Sequence, residues 1–354
     1  MRVLQLIPSL EVGGAERVVT LLTRALVADG HEVGVVSFAP RVDSWLTREL
    51  EGLPLFFLDK KPGLDPRVIP RLARVLRRFR PQVVHNHLHL LKYLLPARAA
   101  WRCPVVHTVH NLAEQEASGP DRRVQWLAFR RGVTPVAIGD AVADSIQALY
   151  GVRAPIVPNG IDVKSFRLPP EVRGQLRASL GVADDMPVVL SAGRLNEQKD
   201  PLTLVRAVEG LEAELWLAGE GPLRGDIEAL ASPQVRLLGL RDDVPRLMAA
   251  ADVFAMSSRW EGNPLAVMEA MAAGLPVVST GVGCVPELVS PSTGRVVELG
   301  EPTQLRSAIQ ELIEDLPQAR ALGEAGSQAA LQRFDVSVMA RGYARLYEER
   351  AACS

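Results

Sequence analysis

A helix that is apolar on every side has to be buried on every side, and the stretch EGNPLAVMEAMAAGLP at residues 261–276 encodes one with a single exception. Asn263 suits the N-cap, and Pro264 suits the first helical position, where its missing N–H costs nothing. Gly274 suits the left-handed position after the last turn, and Pro276 blocks continuation. The expected helix therefore runs from about 264 to 273, and layers of structure must cover it all round. Glu269 is the exception. A carboxylate buried this way must find a hydrogen-bonding partner or neutralise, and no basic residue lies one turn away on the same helix. Glu261 sits just ahead, in the loop. The free N–H groups of Leu265 and Ala266, with the positive end of the helix dipole, suit an anion. Carboxylates accept hydrogen bonds from sugar hydroxyls and helix N-termini hold phosphates, so a nucleotide-sugar would satisfy the whole segment. The plainer reading is a buried helix whose Glu269 pairs with an arginine elsewhere.

At 354 residues the chain is long for one domain and comfortable for two, with 47% apolar and 23% charged residues. Cys103, Cys284 and Cys353 are scattered and show no metal-binding spacing, which fits a reduced, cytoplasmic protein. MRVLQLIPSL turns polar too soon for a signal peptide and reads as a first strand, and apolar stretches are broken well before membrane-spanning length. Charge is divided unevenly. Residues 1–165 carry 22 Lys and Arg against 15 Asp and Glu, a balance of +7, whereas the remainder carries 18 against 26, or −8. A basic first half favours an anionic surface or substrate beside it. No basic, aromatic-rich motif points to nucleic acid.

In the first half, a strand at 3–8 leads through Gly13-Gly14-Ala15-Glu16 into a helix expected over 17–29. Two glycines at such a turn allow a ligand to approach the backbone, but G-x-G-x-x-G is absent, and so is the dinucleotide fingerprint. Strands follow at 31–38, 82–87, 104–110 and 134–138. Between them, residues 67–80 read as a helix with Arg67, Arg71, Arg74 and Arg78 on one face and Leu72, Val75, Leu76 and Phe79 on the other. It is either an ordinary surface helix or a docking face for anionic lipid. His85, His87 and His89 alternate, so they share one face of a strand. No Asp, Glu or Cys completes a metal site there, and histidines at a strand's carboxyl end face the ligand crevice of an open α/β sheet. His110 ends its own strand in the same way. PIVPNGID (155–162) and Pro169-Pro170 mark a linker.

In the second half, strands at 187–192, 214–218, 235–239, 252–257 and 276–280 alternate with helices, and the tail is helical from about 304. The first strand leads into GRLNEQKDP, where Arg194 and Lys199 can clamp a diphosphate, one as a fork and the other as a point charge. GEGPL follows the second strand, Leu240-Arg241 the third, and the Glu261 loop the fourth.

These motifs together resemble the retaining glycosyltransferases of family 4, over nearly the whole chain. Glu261 and Glu269, with seven residues between them, resemble the family's Glu-x7-Glu signature, and GLPVVST and GVGCVPELV continue the likeness. The resemblance implies the GT-B architecture: α/β, with two doubly wound parallel-sheet (Rossmann-like) domains facing a cleft. It places an acceptor-side domain at 1–163, a donor domain at 164–335, and a final helix at 336–354 that crosses back to the first domain. It implies that Arg194 and Lys199 clamp the donor phosphates, Glu261 orients sugar hydroxyls, and His110 contacts the donor sugar. Gly13 and Gly14 would approach the diphosphate. Asn263, Pro264 and Leu265 would seat it, Glu269 would hold the ribose, and the backbone at Leu240 and Arg241 would face the base. His85, His87 and Glu16 are assigned to the acceptor side.

The expected activity is transfer from a UDP- or GDP-sugar to a lipid-linked, oligosaccharide or other envelope acceptor, with retention and without a metal or other cofactor. The expected place is the cytoplasm, at the inner face of the membrane if helix 67–80 docks there. An NAD-dependent oxidoreductase lacks its fingerprint here. A GT-B sugar-nucleotide epimerase or a silent sugar-nucleotide binder remains the alternative.

Overall fold

The computed structural model describes residues Met1–Cys353. Two compact units divide the chain: Met1–Gly160 joined by the residues from Val336 onward, and Ile161–Asp335. The division falls a few residues ahead of the linker position expected at 163.

Each unit is built on one six-stranded sheet with entirely parallel pairing. In the first, β1 (Arg2–Ile7), β2 (Glu32–Ser37), β3 (Leu55–Phe57), β4 (Val83–His87), β5 (Val105–Val109) and β6 (Val133–Ala137) lie in the order β3-β2-β1-β4-β5-β6. In the second, β7 (Val188–Ala192), β8 (Glu214–Ala218), β9 (Val235–Gly239), β10 (Val253–Met256), β11 (Val277–Thr280) and β12 (Gly294–Val297) lie in the order β12-β11-β10-β7-β8-β9. Counted from its own first strand, each unit has the order 3-2-1-4-5-6. The direction of winding reverses between β1 and β4 in one and between β7 and β10 in the other. At such a reversal the loops leaving the two strands splay apart, and their carboxyl ends open a crevice.

Strand and helix boundaries follow the apolar pattern. β4 is buried along its whole length, as a central parallel strand covered on both faces must be. The basic helix spans Val68–Phe79, burying Val68, Leu72, Leu76 and Phe79 and exposing Arg71, Arg74, Arg77 and Arg78. Gly34 in β2 makes room for it: a Cβ there would press on the Phe79 ring. The central helix is Leu265–Ala272, and Val267 to Ala272 are all buried. Its N-cap is Pro264, with φ −71° and ψ 117°, and not Asn263 as expected. Asn263 is itself buried, and no side chain caps this helix. Gly274 has φ +80°, the left-handed conformation its place after the helix called for.

The last helix, Val336–Ala352, belongs to the first unit, where it packs on the helix Gly14–Ala28 and on β4. It buries Met339, Ala340, Tyr343, Leu346 and Tyr347. Among the described residues no helix is long and apolar enough to cross a membrane.

Candidate active site

In the second unit the loops leaving β7 and β10 are laced together. Ser257 Oγ donates to the carbonyls of Lys199 (3.2 Å) and Asp200 (2.7 Å), the Arg259 N–H donates to the Gln198 carbonyl, and Gln198 Nε2 donates to the Trp260 carbonyl. Asp200 takes φ +44°, an uncommon conformation for a side chain that is not glycine, and its carboxylate accepts from Thr203 Oγ1 and Arg259 Nε. The lacing brings two predicted site residues into contact. Lys199 Nζ lies 2.6 Å from Glu261 Oε1, with the lysine side chain 23% exposed and the glutamate 7%. The pairing partner of Glu261 is thus another site residue, not a framework arginine. Arg177, which is fully buried, is consumed by Asp252 (2.6 Å) and by the carbonyls of Ala250, Ala183 and Met186.

Arg194, from the same loop as Lys199, is exposed and makes no ion pair among the described residues. Its loop lies flat on the Gly219–Gly221 turn: the Gly193 N–H donates to the Ala218 carbonyl and the Leu195 N–H to the Glu220 carbonyl. A Cβ at Gly219, which has φ +152°, would collide with the Gly193 carbonyl. A shallow pocket here is lined by Gly193, Arg194, Leu195, Lys199 and Met256. Glu269 projects from the central helix and is only 4% exposed, while Pro264 and Leu265 open that helix beside the Glu261 loop. Gly283, at φ +55°, leans on the same loop; a Cβ there would strike the Glu261 carbonyl. Past β9, Leu240 is 68% exposed and Arg241 is forked onto Asp243, both contacts at 2.7 Å. That pair raises the arginine's pKa and lowers the aspartate's.

In the first unit the helix after β1 begins at Gly14, three residues earlier than expected, because the Arg17 N–H already bonds the Gly13 carbonyl. Gly13 is the N-cap, and a Cβ on it would collide with the Glu16 carboxylate, which folds back over the first turn. That is the posture of a capping-box glutamate.

The period-two alternation of β4 and β5 sorts their polar residues onto opposite sheet faces. On one face His85 Nδ1 meets the Tyr347 hydroxyl at 2.6 Å and Nε2 meets Thr108 Oγ1 at 2.7 Å; Thr108 in turn meets the Tyr343 hydroxyl at 2.7 Å. His87 bonds His110 Nε2 through Nδ1 and Gln5 Oε1 through Nε2, both at 2.8 Å. On the other face Asn86 Nδ2 meets His107 Nδ1 at 2.7 Å, and His107 Nε2 lies 3.3 Å from Glu116 Oε1. Glu116 then accepts from the backbone N–H of His110. The two networks converge on His110, whose ring is held from one face and whose backbone is held from the other.

His85 and His87 are fully buried, with both ring nitrogens of each engaged. The structure therefore places them inside the sheet and not on an acceptor-facing surface. Alternation brought them to one face as expected, but that face is covered by the final helix. Burial pushes His85 and His87 well below the usual histidine range and His110 down to about 4, each for want of solvent around the cation. Leu88, immediately after β4, has φ +58°, an outlier for a bulky side chain, and it turns the chain sharply away from His87.

Comparison with known proteins agrees with this architecture. The model for Glycosyltransferase Family 4 matches residues 12–165, and that for Glycosyl transferases group 1 matches residues 186–315. The D-inositol 3-phosphate glycosyltransferase of Xylanimonas cellulosilytica is 30% identical over 388 residues, covering 92% of this chain and 88% of that protein. The chain belongs to glycosyltransferase family 4. The GDP-mannose-dependent monoacylated alpha-(1-6)-phosphatidylinositol monomannoside mannosyltransferase of Corynebacterium glutamicum is 35% identical over 188 residues, 48% of this chain. The match spans 49% of that relative's length. The crystal structure of Anabaena Alr3699/HepE in complex with UDP and glucose superposes with a TM-score of 0.87 at 26% identity, covering 99% of this chain and 100% of that one. The two Rossmann-like units are those of a GT-B glycosyltransferase.

This family 4 enzyme holds its site with several residues that the motifs did not single out. Gly219, Gly221 and Gly283 are required by close backbone approaches, a role that GEGPL and GVG hint at through their glycines alone. Gln5, Thr108, Glu116, Tyr343 and Tyr347 carried no motif. The one available signal was the spacing of Tyr343 and Tyr347, one helical turn apart on a helix with an apolar face.

Proposed function

We propose that this glycosyltransferase moves a hexose-type sugar from a nucleoside diphosphate to a lipid-linked or other envelope glycan acceptor with retained anomeric configuration. The observation that carries the reading is the Lys199–Glu261 pair at the carboxyl ends of β7 and β10, with Arg194 exposed beside it. The departing diphosphate develops negative charge. Arg194, Lys199 and the N–H groups opening the helix Leu265–Ala272 are the groups that stabilise it, so the transfer is read as metal-independent. When phosphate takes the Lys199 ammonium, Glu261 is released to accept from donor-sugar hydroxyls. Glu269 is assigned to the ribose, and the backbone at Leu240 and Arg241 to the base. Asn263, Pro264 and Leu265 border the phosphate seat. In the first unit, Gly13 and Gly14 are assigned to the diphosphate and His110 to the sugar. The proton of the acceptor hydroxyl passes to the departing phosphate on the front side, as the acceptor oxygen forms its bond to the anomeric carbon and the phosphate oxygen leaves it.

Support for the substrate class comes from relatives. One is named for GDP-mannose and a phosphatidylinositol monomannoside, and the Anabaena structure holds UDP and glucose. The exposed arginines of helix Val68–Phe79, with Leu64 at 77% exposure just ahead of it, favour peripheral contact with an anionic leaflet at the inner face of the membrane. A thermal-shift panel of UDP, GDP and their sugars identifies the donor, because a ligand that binds only the folded state raises the melting point. The anomeric configuration of the product, read by NMR, tests retention; an inverted product ends that assignment. Undiminished transfer in excess chelator is the result expected for metal independence. Sedimentation with phosphatidylglycerol vesicles, lost in Arg74→Glu/Arg78→Glu, tests the membrane contact.

A further inference from the structure

The hydrogen bonds around His110 fix more than its position. Gln5 Oε1 is an acceptor only, so the proton of His87 lies on Nε2, which donates to it at 2.8 Å. His87 Nδ1 is then a bare lone pair, and the group facing it at 2.8 Å, His110 Nε2, must supply the proton. The remaining nitrogen of His110, Nδ1, is consequently an acceptor, and it makes no hydrogen bond to any described residue. The Gln5 amide also lies beside the Tyr347 hydroxyl, where it offsets part of the burial that pushes that phenol up. The amide has its oxygen end toward His87. On the same face His85 spans the Tyr347 hydroxyl at Nδ1 (2.6 Å) and Thr108 Oγ1 at Nε2 (2.7 Å). On the far face Asn86 Nδ2 meets His107 Nδ1, and His107 Nε2 faces both Glu116 and Gln125 Nε2.

We propose that Gln5 and His87 are positioning residues that lock His110 as the Nε2–H tautomer, so that Nδ1 is presented as a hydrogen-bond acceptor to a hydroxyl of the donor sugar. The proposal rests on the assignment of His110 to the donor sugar made above. The locking is meaningful because burial keeps both imidazoles neutral at pH 7, and a neutral ring has one donor and one acceptor. A ring free to exchange tautomers would offer N–H as readily as a lone pair. The locked ring accepts only, so it selects a sugar carrying a hydroxyl at the contacted carbon and rejects one carrying hydrogen or fluorine there.

The experiment is long-range 1H–15N NMR of the full chain with 15N-labelled histidine, His110→Ala supplying the assignment. The wild type is expected to show the Nε2–H pattern at His110. Gln5→Met, which fills the space without an acceptor, is expected to populate the other tautomer. It should lower kcat roughly 10- to 100-fold with affinity for the nucleoside diphosphate unchanged. Gln5→Glu, which keeps an oxygen toward His87 whether ionised or not, should keep both the pattern and the rate. A merely structural role for Gln5 would not move the imidazole pattern. An Nδ1–H pattern in the wild type overturns the proposal outright, and does so even if Gln5→Met fails to fold. So does a Gln5→Met enzyme that keeps both tautomer and rate. If His110→Ala transfers sugar normally while the wild-type pattern is as expected, the sugar contact itself fails and the positioning role falls with it. A crippled His110→Ala beside an Nδ1–H wild type fails the relay alone.

Discussion

The two units share a strand order and open their crevices at the same place in it, yet they hold their functional groups by opposite means. In the second unit the groups are charged and lie in loops: Arg194 exposed, Lys199 a quarter exposed, Glu261 paired with it. In the first they are neutral and lie in or directly after strands. His85 and His87 are wholly buried, and His110 is gripped through ring and backbone. The difference shows what each arrangement is good for. A loop-borne ion pair exchanges partners when a new anion arrives, because its ammonium attracts phosphate as readily as carboxylate. A buried neutral network cannot do so without leaving a polar group unpaired, at a cost of about 1–3 kcal/mol. One side of the chemistry is built to respond and the other to stay still.

The sharpest way to break this contrast is on the responsive side. Arg194→Ala should lower kcat by about 10²- to 10³-fold, the effect of removing one preorganised donor to a developing anion. The melting temperature should hardly move, since the side chain is exposed. A normal kcat would remove Arg194 from the clamp. Next come Lys199→Met and Glu261→Leu. Each single change strips a mostly buried charge of its partner or its context and should cost about 1–3 kcal/mol in urea unfolding. The double variant should regain most of that stability and still fail to transfer sugar. If it transferred normally, the pair would be a structural contact and nothing more. Gly219→Ala forces a Cβ against the Gly193 carbonyl at a φ that side chains avoid. It should cost about 1–3 kcal/mol and lower kcat with it, by tilting the Arg194 loop.

The rigid side yields smaller effects. Tyr347→Phe leaves His85 Nδ1 without its partner and should cost about 1–2 kcal/mol by chemical unfolding, with donor affinity preserved. Acid should act here first. His85, His87 and His110 have folded pKa values below the ordinary 6.5, His110 at about 4. Below pH 6.5 the unfolded chain therefore binds protons that the folded chain does not. The stability from keeping these rings neutral is complete above about pH 6.5 and is lost as pH falls through the folded values. Melting temperature should be nearly flat from pH 7 to 8 and drop steadily from 6.5 toward 4. A His87→Gln variant should show a shallower drop, and equal slopes would mean that these rings do not govern the acid limb.

The sequence was most informative where local chemistry decides. The apolar run around Glu269, the strand ends at Lys199 and Glu261, and the basic face of Val68–Phe79 were legible because burial and periodicity act over a few residues. Asn263 was misjudged as a cap because cap preference is a local rule, and here burial of the amide overrode it. His85 and His87 were placed on one strand face, but which face is covered, and by what, depends on a helix more than 250 residues later. Contacts of that reach leave no periodic trace. The fixed seats of Gly219 and Gly283 were invisible for the same reason, since the collision each avoids is with a distant carbonyl.

The final helix has a consequence for how the protein is made. Its two tyrosines complete the polar interior of a sheet whose strands are synthesised first, while the whole of Ile161–Asp335 is translated in between. The earlier domain must therefore wait, with His85 Nδ1 unpartnered, until the helix Val336–Ala352 has been made, whereas the later one is contiguous and can finish ahead of it. Birth order and completion order are reversed. A ribosome stalled before Tyr343 would hold one finished domain and one still open.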